Sequence, residues 1–166
     1  RLGNNMSIEK VRAFFAQRGR EGDILEFDVS SATVELAAQA VGCPPERIAK
    51  TLSFALESGC ALVVCAGDAK IDNSKFKAQF HVKAKMLAPD EVVSFTGHAI
   101  GGVCPFAIEN PAVQTYLDAS LKRFASVFPA AGSSNSAIEL TLSELEEFSG
   151  CAGWVDVCKN WNDKGE

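Results

Sequence analysis

The sequence predicts a single α+β domain with a mixed central β-sheet flanked by helices. Three observations carry that expectation. Helix and strand signals alternate in short units along the chain, but too irregularly for the regular crossovers of a doubly wound sheet. One segment, ALVVC at residues 61–65, is apolar at every position, as befits a central strand covered on both faces. The 166 residues show no linker, internal repeat or low-complexity tract, and they suffice for one domain of ordinary size, whereas two would each be small. The domain is placed at residues 6–166, with the polar RLGNN of residues 1–5 set aside as an appended segment ahead of Met6.

The elements follow in order. Ser7 can cap a first helix in which Ile8, Val11 and Phe15 share a face, with Gly19 beyond its end. Leu25, Phe27 and Val29 alternate with Glu26 and Asp28, the period of a half-buried strand. Thr33 caps a second helix with Val34, Ala37, Ala38 and Val41 on one face, stopped by Gly42 and Pro44. Residues 50–57 (KTLSFALE) read as a strand, followed by the central strand at 61–65. Residues 73–80 read as a helix and 83–87 as a short strand. Pro89 at a first helical position, Asp90 and Glu91 in the first turn and Gly97 past the end mark the next helix. Residues 112–129 are mixed and stay undivided, and 137–141 read as a strand. Ser143 and Glu146 form a capping box ahead of Leu145 and Phe148, Gly150 closes that helix, and 154–158 is a final strand.

Composition excludes several classes. An apolar fraction of 47% and a charged fraction of 22% are those of a globular protein rather than a disordered or fibrous one. No run of 18 apolar residues is present, so a membrane-spanning helix is not expected. No export signal is read, and six cysteines are too sparse for a disulfide scaffold, so reduced thiols and a cytoplasmic location are expected. A net charge of −5 argues against coating nucleic acid through bulk charge. The distribution is uneven, however. Lys70, Lys75, Lys77, Lys83 and Lys85 face only Asp72 in their window, a local +4 that leaves −9 on the rest. That window is either a solvated surface or a landing site for a polyanion.

Familiar catalytic patterns are missing. Cys43, Cys60, Cys65, Cys104, Cys151 and Cys158 form no CxxC pair, and His81 and His98 form no metal-binding repeat, so neither a metal nor another cofactor is expected. There is no GxSxG, P-loop or GxGxxG. Cys104 follows two glycines in a loop, and His98 is its one nearby base, which leaves a thiol mechanism as an alternative without a visible orienting group. The densest loop signal is GHAIGGVCPF at 97–106, either a tight turn or a concavity of backbone N–H groups. Lys50 shares a strand face with Leu52, Phe54 and Leu56, so its ammonium either snorkels into water or stands at the mouth of an apolar pocket.

Together these segments resemble the YbaK/prolyl-tRNA synthetase-associated editing domain family. Four stretches carry the resemblance: TVELAAQAVGCPPERIAKTLSF at 33–54, the GD–ID–lysine segment at 67–85, DEVVSFTGHAIGGVCPF at 90–106, and 132–157 with its IEL, SEL and VDV runs. The resemblance implies a free-standing, trans-acting deacylase. It would hydrolyse the ester of mischarged tRNA, most often proline tRNA carrying a small non-cognate amino acid, and a synthetase is a possible second partner. Lys50, Gly101 and Gly102 match the catalytic positions, Lys50 holding the terminal adenosine phosphate or the carbonyl and the glycine amides receiving charge on the carbonyl oxygen. Water, oriented by backbone or by a ribose hydroxyl of the tRNA, would attack.

The resemblance further implies a pocket formed by Phe27, Thr51, Phe54, His98, Val103, Cys104 and Pro105, with Gly132, Ser133 and Ser136 as another wall. Lys70, Lys75, Lys77, Lys83 and Lys85 would meet the acceptor end of the tRNA. Where some members carry a histidine, GSSNSAIEL has none. A non-catalytic module that holds tRNA or an aminoacyl ligand, and a Cys104-dependent hydrolase, remain as alternatives. Oligomeric state is left open.

Overall fold

The computed structural model describes residues 2–162, so Arg1 and residues 163–166 lie outside it. The chain forms α1 (Leu2–Ala16), β1 (Ile24–Glu26), α2 (Val34–Val41), β2 (Ile48–Leu56), β3 (Gly59–Ala66), β4 (Lys70–Ile71), α3 (Asn73–Phe80) and α4 (Pro89–Thr96). It continues through β5 (Val113–Asp118), β6 (Ser126–Pro129), β7 (Ser136–Ile138), β8 (Leu140–Thr141), α5 (Leu142–Ser149), β9 (Gly153–Val155) and β10 (Cys158–Lys159). This is the mixed α+β arrangement expected from the sequence. A six-stranded sheet runs β8-β6-β2-β3-β5-β9, and the pairs β1-β7 and β4-β10 stand outside it. β2 and β3 are antiparallel neighbours, whereas β2-β6, β3-β5 and β5-β9 are parallel. Among the described residues no helix is long and apolar enough to cross a membrane.

β3 is the centre of the fold. From Cys60 to Ala66 every residue is fully buried, because helices cover both faces of the sheet. On one side Cys60 and Leu62 pack with Leu87 and with Val92 of α4. The main core joins Val63 and Cys65 to Val11 and Phe15 of α1, Phe76 of α3, and Leu145 and Phe148 of α5. Each fully buried aliphatic side chain of this kind contributes about 1.5–3 kcal/mol. Aromatic edges lock the layers: Phe15 meets Phe106 at 5.0 Å and Phe148 at 5.4 Å between ring centroids, and Phe54 meets Phe76 at 4.7 Å. α2 packs separately, through Ala37 and Ala38 against Ile48 and Phe128.

Several expected elements differ in detail. Ser7 lies inside α1 rather than capping it, since its hydroxyl is engaged across the fold by His98. The strand expected through Phe27 and Val29 ends at Glu26, and Leu25 and Val29 are exposed; β1 finds only the short β7 as a partner. Residues 83–87 make a single bridge, Met86 to Phe54, flanked by bonds from Ala55 N–H to the Lys85 carbonyl and from Leu87 N–H to the Ser53 carbonyl. The 137–141 strand divides at Glu139, with β7 turning to β1 and β8 to β6. The capping box is Thr141 with Glu144, two residues earlier than expected. The last strand divides likewise, β9 joining β5 and β10 joining β4. Thr33 and Gly42 do close α2 as expected.

Candidate functional site

Three chain segments distant in sequence meet over the first half of β2. The N-terminus of α2 arrives through Ser31, whose N–H donates to the Ser134 carbonyl at 2.7 Å. The 98–106 loop leaves α4 and is closed by a bond across its base. His98 Nε2–H donates to the Phe106 carbonyl at 2.8 Å, so Nδ1 accepts from the Ser7 hydroxyl at 2.5 Å. The segment entering β7 supplies Ser136 and Ala137. Between them lies a cavity of about 360 Å³. Its walls include Ile48, Leu52, Leu87, Val92, Val103 and Phe128, and among the described residues Lys50 is the one charged residue that lines it. Ser31, Thr33, Ser53 and Ser136 add hydroxyl groups.

Lys50 does not stand free at the mouth. Its Nζ donates to the Ala69 carbonyl at 2.5 Å and the Gly67 carbonyl at 3.3 Å, both in the turn after β3. An ammonium carries three N–H donors, so this arrangement orients the group and leaves one donor for a ligand. Thr51 lines the same wall, but its hydroxyl oxygen is buried without a hydrogen-bond partner among the described residues.

The two glycines differ sharply. Gly101 lines the cavity with a φ of +98°, which favours glycine, and its N–H has no protein partner among the described residues. The Gly102 N–H is used by the Ala99 carbonyl at 3.0 Å. Gly102 instead lets two loops touch: a Cβ there would sit 2.7 Å from the backbone N and Cα of Ser133. Gly102 is therefore a packing glycine rather than a second amide donor.

The remaining expected site residues divide between cavity and core. Val103, Thr51 and Ser136 line the cavity with Lys50 and Gly101. Phe54 is turned into the core against Phe76. Phe27 stands behind the wall, bonded through both backbone groups to Asn135. Gly132 approaches α1, where a Cβ would meet the Ser7 carbonyl at 2.9 Å. Ser133 holds the Ser136 hydroxyl at 2.7 Å and supports the wall from outside. Pro105 borders a different cleft of about 740 Å³ between α1 and the end of α5.

Cys104 and His98 are both fully buried outside the cavity. Burial pushes the Cys104 thiol up to about 12 and holds the His98 imidazole below its ordinary value. Their separation is 3.6 Å, but the facing nitrogen already gives its hydrogen to Phe106. This pair has neither a thiolate nor an available base. Sequence reasoning missed Ser31, Ser53, Met86 and Ile100; only the tertiary meeting of their segments brings them to the cavity.

The lysine window does not act as one patch. Lys75 is occupied by Asp156 at 3.2 Å and the Cys158 carbonyl at 3.1 Å. Lys70, Lys77, Lys83 and Lys85 are exposed and make no ion pair among the described residues.

Residues 29–148, which span all three cavity segments, match the aminoacyl-tRNA editing domain family. The chain belongs to this family. It is 57% identical over 157 residues to the uncharacterized protein YwhH of Bacillus subtilis (strain 168), covering 94% of this chain and 99% of that one. It is also 27% identical over 93 residues to the proline–tRNA ligase of Thermotoga sp. (strain RQ2), covering 55% of this chain but 16% of the ligase. Among solved structures, a candidate trans-editing enzyme for prolyl tRNA synthetase is 30% identical and superposes with a TM-score of 0.82, over 93% of this chain and 98% of the other. The editing-domain fold expected from the sequence is the one observed.

Proposed function

We propose that the protein is a trans-acting aminoacyl-tRNA deacylase that frees a small non-cognate amino acid from tRNA, with proline tRNA as the carrier. The observation that carries this reading is the apolar cavity lined both by Lys50 on β2 and by Gly101, whose amide has no partner among the described residues. An aminoacyl ester is already activated relative to an amide, so positioning and oxyanion stabilisation suffice. The third N–H of Lys50 would hold the carbonyl or a terminal phosphate oxygen. The Gly101 N–H would receive charge as it develops on the carbonyl oxygen, an interaction worth about 3–4 kcal/mol in well-studied hydrolases. Water would attack the carbonyl carbon, the ribose oxygen would leave with a proton, and the products would be free amino acid and uncharged tRNA.

The lining also supports the substrate class. Among the described residues no carboxylate lines the cavity, so a basic side chain would find no counter-charge there, and about 360 Å³ is near the lower end of ligand pockets. The links to proline rest on the candidate trans-editing neighbour and on the proline–tRNA ligase match.

A deacylation panel tests the reading: alanyl, cysteinyl, seryl and threonyl esters on proline tRNA, with correctly charged controls. Hydrolysis of at least one mischarged species, lost by a hundredfold or more in Lys50→Met with the fold retained, is the expected result. Binding without hydrolysis would identify a tRNA-holding module instead.

A further inference from the structure

Among the described residues, two of the large hydrophobic side chains most exposed to water stand at the same cavity. Met86 and Ile100, 56% and 60% exposed, both line the cavity. The apolar cavity thus carries two apolar side chains, Met86 and Ile100, that reach into water. Met86 also belongs to the extended segment 83–87, pinned along β2 by the bonds at Lys85 and Leu87. That segment carries Lys83 and Lys85, both exposed and unpaired among the described residues, unlike Lys75.

We infer that Met86 and Ile100 clasp the terminal base of the RNA while Lys83 and Lys85 neutralise the phosphates leading up to it. The inference rests on the deacylase reading. An ester bound at Lys50 and Gly101 is joined to a ribose oxygen, so its nucleoside must lie at the mouth, against whatever rims it. A flat, apolar-faced base fits an aliphatic clasp, and the strand leaving it carries one negative charge per nucleotide. Charge complementarity therefore assigns the rim to a nucleic-acid end rather than to an apolar protein surface. It also divides the lysines: Lys83 and Lys85 contact RNA, and Lys75 is structural.

The test uses the full chain and an uncharged acceptor-stem hairpin of proline tRNA ending in CCA, beside the same hairpin without its terminal adenosine. Binding is followed by fluorescence anisotropy and the oligomeric state by light scattering. Met86→Ser and Ile100→Ser are each expected to weaken binding of the CCA hairpin about fivefold and to leave the shortened hairpin unchanged. Lys83→Gln with Lys85→Gln should weaken both hairpins and reduce the slope of log K against log salt by about 1.4, roughly 0.7 for each single-strand contact. Equal losses on both hairpins for the rim variants, unchanged binding, or a change in oligomeric state in place of a binding loss would each overturn the assignment. The wild-type deacylation panel separates the two failures. Hydrolysis that persists while the rim variants bind normally refutes the clasp alone, whereas a wild type that neither hydrolyses nor binds any member refutes the deacylase reading and the clasp with it.

Discussion

Adding one methyl group at Gly102 should damage this protein for a reason unrelated to ester chemistry. The new Cβ would stand 2.7 Å from the N and Cα of Ser133 and 2.8 Å from its carbonyl carbon. All three are backbone atoms, so no rotamer change relieves the contact, and the two loops must part by about 0.7 Å to reach ordinary van der Waals distance. Overpacking of that kind costs about 1–3 kcal/mol, equivalent to a Tm lower by about 3–10 °C in a chain of this size. At Gly101 a methyl group has room, 3.4 Å from Ser134 Cβ and 3.5 Å from Ala32 Cβ, but alanine must adopt a φ near +98°. The strain is about 1–3 kcal/mol, and the methyl would also enter the wall between the α2 terminus and the glycine loop. Thermal melts and single-turnover deacylation of both variants, at a temperature where each is folded, separate the effects. Gly101→Ala should lose activity beyond what its folded fraction explains, and Gly102→Ala should show the clash in its melting temperature. A Gly102→Ala protein as stable as wild type would refute the packing of the two loops.

Three further outcomes are expected. Native Cys104 should resist iodoacetamide at pH 8, because burial holds its thiol near 12, and Cys104→Ala should keep substantial activity; rapid alkylation, read by mass spectrometry, would contradict the structure. Thr51→Val removes a buried hydroxyl that has no partner among the described residues, so stability from urea unfolding should hold or rise by up to about 1 kcal/mol; a clear loss would mean that the hydroxyl is bonded after all. His98 has a lowered folded-state pKa, chiefly through burial, so as pH falls through about 6.5 the unfolded chain takes up a proton that the folded one refuses. Its contribution is therefore complete above that pH and declines below it, and Tm measured from pH 7.5 to 5.5 should fall more steeply in wild type than in His98→Gln.

Local chemistry made much of the frame legible. Thr33, Gly42, Pro89 and Gly97 bracket two helices where capping and backbone freedom require, and the all-apolar run in β3 announces burial on both faces. What failed to show was pairing. Nothing local in residues 83–87 tells that only Met86 bridges β2, or that Glu139 divides two strands with different partners. The site was legible to the same depth. Lys50 and the glycine loop stand out by residue type, but Gly101 and Gly102 look equivalent until the folded loop leaves one amide without a partner among the described residues and spends the other on Ala99. His98 and Cys104 sit in the same loop as Gly101, and only burial separates them from the cavity.

The tether on Lys50 follows from strand register. Lys50 faces Cys65 across the β2–β3 ladder, so the chain leaving β3 must turn directly beside it. The Ala69 N–H returns to the Ala66 carbonyl at 3.0 Å, closing a turn that presents the Gly67 and Ala69 carbonyls to the ammonium. That turn is clamped from outside, because a Cβ on Gly67 would meet the Pro45 carbonyl at 2.1 Å and Val34 Cγ1 at 2.7 Å. Val34 and Lys50 both line the cavity. The direction of the Lys50 ammonium is thus set by a turn whose Gly67 lies close against Pro45 and Val34. A lysine at a strand end would ordinarily reach for water; here the fold supplies two carbonyls first, and the donor that remains is available to a ligand.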